Sequence, residues 1–233
     1  MVRLYIREDE GVPTLDLLSV SQDATVQDLI DALQEATDDP TVYKPQLKPR
    51  YGICAGCVDN CCRQYEIYPD LISANKIAQA KNLSLKDYTK KHLDRDKDLY
   101  FLKFSGKPCP HLKDNLCTIY PFRPIICRLF LCTPMTDDLE NLRASVSYMG
   151  ESALIVELLK TGLLAPTYTY KHRLKNLKKD LSTKYIKPDV YTLRAQQLYL
   201  MYKKNPFLKE KSYENIYLKD CCPTAFWEAL LDR

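Results

Sequence analysis

The sequence predicts an α+β fold that is predominantly α-helical, with a small ββα unit first, a cysteine-rich module second and a helical region last. Three observations carry the prediction. Apolar residues alternate with period two at the N-terminus and then switch to helical spacing, cysteines crowd the middle of the chain, and capped helical patterns dominate beyond Thr136.

Val2, Leu4 and Ile6 alternate with Arg3, Tyr5 and Arg7, and after a Gly11-Val12-Pro13 break Leu15 and Leu17 begin a second alternation, which reads as a hairpin. Thr25 with Asp28 three residues on forms a capping box, and Val26, Leu29, Ile30 and Leu33 then fall on one helical face. The unit spans 1–40 and follows the order of the opening half of a β-grasp fold. Pro40, Pro45 and Pro49 occur in a stretch poor in apolar residues, so 41–50 reads as an extended linker.

The module is assigned to 51–135. It contains two expected helices, Pro69 to Ala80 and Leu85 to Leu93, the second with a Ser84/Asp87 capping box, and a short strand from Leu99 to Phe104. The last region, 136–233, is expected to pack on the module as helices over Glu151 to Lys160 with Gly162 as C-cap, Tyr170 to Leu181, Val190 to Tyr202, and a final one after Pro223.

Of 233 residues, 45% are apolar and 27% charged, as in an ordinary globular protein. Met1 to Glu10 contain no hydrophobic run of secretory type, and no segment reaches the roughly 18 apolar residues that span a bilayer. The expected location is the cytoplasm, with no membrane partner. In that reducing compartment the ten cysteines read as metal ligands or redox groups; in a secreted chain the same even number would suggest a disulfide framework. The net charge of +4 conceals an asymmetry: residues 1–40 hold ten acids against two bases, and residues 171–211 hold twelve bases against three acids.

Eight cysteines lie between Tyr51 and Thr133. Cys54 and Cys57 have the two-residue gap that lets both sulfurs reach one metal from a tight turn, Gly52 and Gly56 allow amides to turn toward thiolates, and Cys61 and Cys62 follow at once. Adjacent side chains leave the backbone in different directions, so Cys61 and Cys62 serve different centres or one of them is not a direct ligand. The spacing reverses that of radical-SAM proteins. A second set follows with Cys109 between two prolines, then Cys117, Cys127 and Cys132. Arg123 and Arg128 stand where they could offset thiolate charge or donate to sulfur in a bound cofactor.

The CxxCxxxCC of Cys54, Cys57, Cys61 and Cys62, then Pro108-Cys109-Pro110-His111-Leu112, Cys117-Thr118-Ile119-Tyr120, Arg123-Pro124 and Cys127-Arg128-Leu129-Phe130, resembles the YkgJ-type cysteine-cluster family of zinc- or iron-chelating domain proteins. The resemblance covers about residues 51 to 132. It implies a small metal-binding module, often described as iron–sulfur containing, and does not point to one general activity. Flagellin lysine N-methylases carry a similar cluster, but this chain has only six glycines and no strand-GxGxxG-helix to cradle a nucleotide-like methyl donor. The acidic N-terminal unit, Cys132, the basic extension and the Cys221-Cys222 pair depart from the simple pattern.

All-sulfur ligation suits zinc and a 4Fe-4S cluster equally. Iron–sulfur is favoured, because eight clustered cysteines exceed what one structural zinc needs and because the family resemblance points that way. His111, two residues from Cys109, is expected to pack or hydrogen-bond rather than ligate; His92 and His172 are expected on solvated helix faces. Cys221 and Cys222 precede Pro223 and read either as part of a second centre or as small buried residues. No Ser-His-Asp or Cys-His dyad can be assembled from spacing.

Residues 166–217 interleave eight tyrosines with the basic residues, a pattern that RNA-binding surfaces share, although leucines at helical spacing favour an amphipathic bundle with solvated lysines. The function expected is therefore a cysteine-ligated iron–sulfur or zinc metalloprotein with a redox, maturation or accessory-enzyme role, acting with a protein or small-molecule partner. The alternatives are a structural zinc module presenting an RNA-binding surface, and a cluster-dependent modifying enzyme.

Overall fold

A computed structural model describes residues 1–38, 61–95, 101–131, 133–164 and 205–232. The described residues are mixed α+β and about half helical, with antiparallel two-stranded hairpins in place of a large sheet. Among them, no helix is long and apolar enough to cross a membrane. The expected helices over 170–181 and 190–202, and with them six of the eight tyrosines of residues 166–217, lie outside the described residues; of the other two, Tyr213 is buried and Tyr217 is exposed.

Strands β1 (Val2–Asp9) and β2 (Val12–Val20) form the predicted hairpin. The turn falls at Glu10 and Gly11, at φ 50° and 79°, where glycine carries no steric penalty, so Val12 and Pro13 belong to β2 and not to the break. A bulge follows Arg3, because Arg3 faces Ser19 while Leu4 faces Leu17. In β2, Thr14, Leu15, Asp16 and Leu17 are all buried, so the expected alternation fails there. The reason is tertiary. Residues 134–136 run beside β2, with Leu15 N–H donating to the Pro134 carbonyl at 2.8 Å and Thr136 N–H to the Leu15 carbonyl at 3.0 Å. The buried Asp16 carboxylate accepts the Thr136 hydroxyl at 2.7 Å.

Helix α1 (Val26–Asp38) starts at the predicted capping box: Thr25 N–H donates to Asp28 Oδ2 at 2.8 Å and Asp28 N–H to Thr25 Oγ1 at 3.2 Å. Its apolar face, Val26, Leu29, Ile30 and Leu33, is buried as the spacing predicts. The 216–218 segment lies across the start of this helix, with Val26 N–H on the Ile216 carbonyl and Leu218 N–H on the Ala24 carbonyl. The ββα stretch and the C-terminal segment therefore share one hydrophobic core.

The short α2 (Cys61–Gln64) precedes α3 (Leu71–Ala80), capped by Asp70, and α4 (Leu85–His92), capped by Ser84 with Asp87 in the first turn. Strand β3 (Leu93–Arg95) pairs with β4 (Leu102–Phe104), and β5 (Leu112–Lys113) pairs with β6 (Leu116–Cys117). Helix α5 (Ile125–Arg128) is one turn long. Helix α6 runs from Asp137 to Lys160, more than a dozen residues further toward the N-terminus than the sequence pattern placed it, and is capped by Gly162 at φ 70° as expected. Gly150 lies inside α6, which passes there against Asp70 and Phe207 with no room for a side chain. Burial of Leu139, Leu142, Val146, Met149, Ala153, Leu154 and Leu158 makes α6 the central element of the core. Helix α7 (Thr224–Leu231) follows Pro223 as expected.

Candidate metal centre

Two distant stretches of chain meet where the cysteines lie. Cys62 on α2 accepts the Cys109 N–H at its backbone carbonyl, 2.8 Å away. Cys109 then turns through its carbonyl onto Leu112 N–H at 3.0 Å and feeds the β5–β6 hairpin, in which Leu112 faces Cys117. Asp114 and Asn115 adopt φ of 50° and 60°, the left-handed geometry a two-residue hairpin turn demands and Asp and Asn tolerate. Arg63 ties α2 to this turn through Asn115 Oδ1 at 2.6 Å. The chain continues through a 3-10 turn at Tyr120–Phe122 and Pro124 into α5, which presents Cys127.

The electrostatics of the thiols show them to be mutual neighbours. The Cys109 and Cys61 thiols donate to Cys62 sulfur, which holds the Cys62 thiol well below its ordinary range. Cys109, as the donor of that pair and a buried group, is pushed far up. Cys127 is raised by burial and then by the charges of Cys62 and Cys117. Cys117 is raised by burial, partly offset by the Ile119 N–H. Each further thiolate in the group meets both a low-dielectric surrounding and a like charge. A bound metal reverses that balance, since a coordinated thiol gives up its proton outright. The donor chemistry thus fits a thiophilic metal.

Arg123 belongs to this group: its charge favours the thiolate form of Cys62, Cys117 and Cys127. Its guanidinium lies over the Tyr120 ring, 4.1 Å from the centroid, and donates to Gln34 of α1. Arg128 is turned elsewhere. It donates to the Arg123 carbonyl at 3.2 Å and the Pro121 carbonyl at 2.6 Å and sits 5.8 Å from the Tyr213 ring, so it braces the loop that carries Arg123.

Cys61, Cys62, Cys109, Cys117 and Cys127 lie near enough to one another to feel each other's charge, while Cys54, Cys57 and Cys132 lie outside the described residues. Among the described residues, no three His, Cys, Asp or Glu side chains form a group that could hold a metal ion. His111 is buried edge-on against Phe104 at 4.8 Å, and burial lowers its imidazole to about 4. Its Nε2 has no hydrogen-bond partner among the described residues. His92, expected on a solvated face, is half-buried against the Tyr88 ring at 5.2 Å. His172 lies outside the described residues. Cys221 and Cys222 are core residues: the first donates to the Tyr217 carbonyl at 3.6 Å, the second lies against Ser145, and burial pushes Cys222 up to about 12.

Sequence reasoning missed Asp70. It is fully buried, and its carboxylate accepts the Ser73 N–H and the Tyr213 hydroxyl at Oδ1 and the Ile125 N–H at Oδ2, each at 2.9 Å. An Asp directly before an apolar helix signals an N-cap. Nothing local signals the other two partners.

Residues 53–147 match the model of the CxxCxxCC family, described as "Putative zinc- or iron-chelating domain". That confirms, for this stretch, the family resemblance read from the motifs. No curated protein and no solved structure matches the chain.

Proposed function

We propose, from a chain whose middle part carries a zinc- or iron-chelating domain, that the protein binds an iron–sulfur centre, 4Fe-4S in preference to zinc, and serves a redox, maturation or accessory-enzyme role. Cys54, Cys57, Cys61, Cys62, Cys109, Cys117, Cys127 and Cys132 are the ligand set of this reading. The observation that carries it is the direct tie of Cys109 to Cys62, by backbone and by thiol, with Cys117, Cys127 and Arg123 in electrostatic contact.

Each residue then has a task. The β5–β6 hairpin carries Cys117 and α5 carries Cys127, Arg123 offsets the charge of accumulated thiolates, and Arg128 holds the loop that carries Arg123. Such a cluster, when bound, supplies one-electron transfer at a potential set by burial and by donors to sulfur. Iron–sulfur is preferred because adjacent Cys61 and Cys62 and a total of eight cysteines exceed the four thiolates that close a structural zinc site.

Purification without oxygen, followed by iron, zinc and sulfide analysis and a visible spectrum, tests the reading. Iron with acid-labile sulfide and absorption bleached by dithionite is the expected result. Colourless protein holding zinc would replace it with the structural-zinc reading, and metal-free protein that is fully folded would overturn both.

A further inference from the structure

We infer that Asp70 is the positioning residue for the Cys127 side of the metal centre, an inference that rests on the metal-binding reading above. As an N-cap, Asp70 would need only one acceptor position, and Oδ1 fills it with the Ser73 N–H. Oδ2 is spent on Ile125 N–H, the first amide of α5, at 2.9 Å. That helix has four residues and no side-chain cap from Pro124, so neither its length nor its own sequence fixes where it sits. Ile125 is fully buried, and without Asp70 its N–H would be an unpaired donor in the core.

Asp70 is itself held from two further sides. Tyr213 from the C-terminal segment donates to Oδ1, and the Gly150 backbone of α6 approaches so closely that an added Cβ would stand 2.7 Å from Asp70 Cβ. The carboxylate is thus a fixed point between α3, α6 and the C-terminal segment, and α5 hangs from it two residues before Cys127. Because α3 needs only Oδ1, the Oδ2 contact serves α5 alone.

Asp70→Asn separates the two duties. An amide keeps one oxygen for Ser73 and Tyr213 but turns an NH2 toward the Ile125 donor. The test is a cobalt(II) titration of anaerobic full-length protein against a competing chelator, reading the thiolate-to-cobalt absorption, with Asn205→Ala as a variant that loosens the C-terminal segment without touching Asp70. D70N is expected to weaken cobalt(II) binding on the order of 10- to 100-fold, as loss of a contact supporting a metal ligand does, and to shift the absorption band. N205A is expected to lower the melting temperature while keeping the wild-type affinity and band.

Wild-type affinity and band in D70N, or equal losses in both variants, would overturn the inference. Should D70N fail to fold, amide exchange in the wild-type protein decides: Ile125 N–H as slow as the core amides supports the contact, and loop-like exchange refutes it. Wild-type protein that takes up no cobalt(II) would instead sink the metal-binding reading itself.

Discussion

Replacing Gly150 by Ala sets two opposing effects against each other, and the structure decides between them. In an exposed helix the change would stabilise by about 1 kcal/mol, since glycine loses more backbone freedom on folding. Here the new methyl would lie 2.7 Å from Asp70 Cβ and 3.0 Å from Phe207 Cε1, both below contact distance. Neither neighbour is free to move: Phe207 is fully buried, and Asp70 holds three hydrogen bonds. Overpacking of a filled core costs about 1–3 kcal/mol. Stretching one of the Asp70 bonds adds about 1.5–3 kcal/mol, the range for bonds to a charged group. The net expectation is a loss of about 3 kcal/mol, which for a chain of this size lowers the melting temperature by roughly 6–12 °C. A thermal melt followed by circular dichroism measures it. A melting temperature equal to or above wild type would refute the packing argument, because the helix-propensity gain would then have prevailed.

Thr25→Ala removes half of the α1 capping box and should cost about 1 kcal/mol in a urea titration at pH 7. The same variant carries a pH signature. Burial pushes the Asp28 carboxyl up, but the Thr25 amide and hydroxyl outweigh it and hold it below the usual carboxylate value, so its stabilisation is present above that value and fades as pH falls through the lowered one. Below about pH 4 the wild type should therefore lose stability more steeply than T25A, and parallel acid limbs would contradict this. Cys109→Ser should reduce bound metal measurably, whereas Cys222→Ala, in the core beside Ser145, should leave metal content unchanged while lowering the urea midpoint. Equal metal loss in both would place Cys222 in the centre after all. Leu142→Ala on the fully buried face of α6 should cost about 2–5 kcal/mol by the same denaturation assay.

Several features of this protein were determined by the sequence alone, and they share a short range. The Thr25/Asp28 and Ser84/Asp87 caps, the apolar face of α1, the hairpin and the Gly162 stop all depend on residues within a few positions of one another, where backbone geometry fixes who can meet whom. The cysteine motifs were legible for the same reason, since ligand spacing is a local property. Tertiary structure decided the rest. Thr14 and Asp16 are buried where residues 134–136 run along β2, a contact from a distant part of the chain. Gly150 lies inside α6 where Asp70 and Phe207 fill the space a side chain would take. Arg123 and Arg128, alike in sequence, part company because one faces thiols and the other carbonyls and Tyr213. Asp70 joins Ile125 and Tyr213 across 55 and 143 positions of chain. A buried carboxylate takes whatever donors the packed core delivers to it, and no periodicity along the chain encodes which ones those will be.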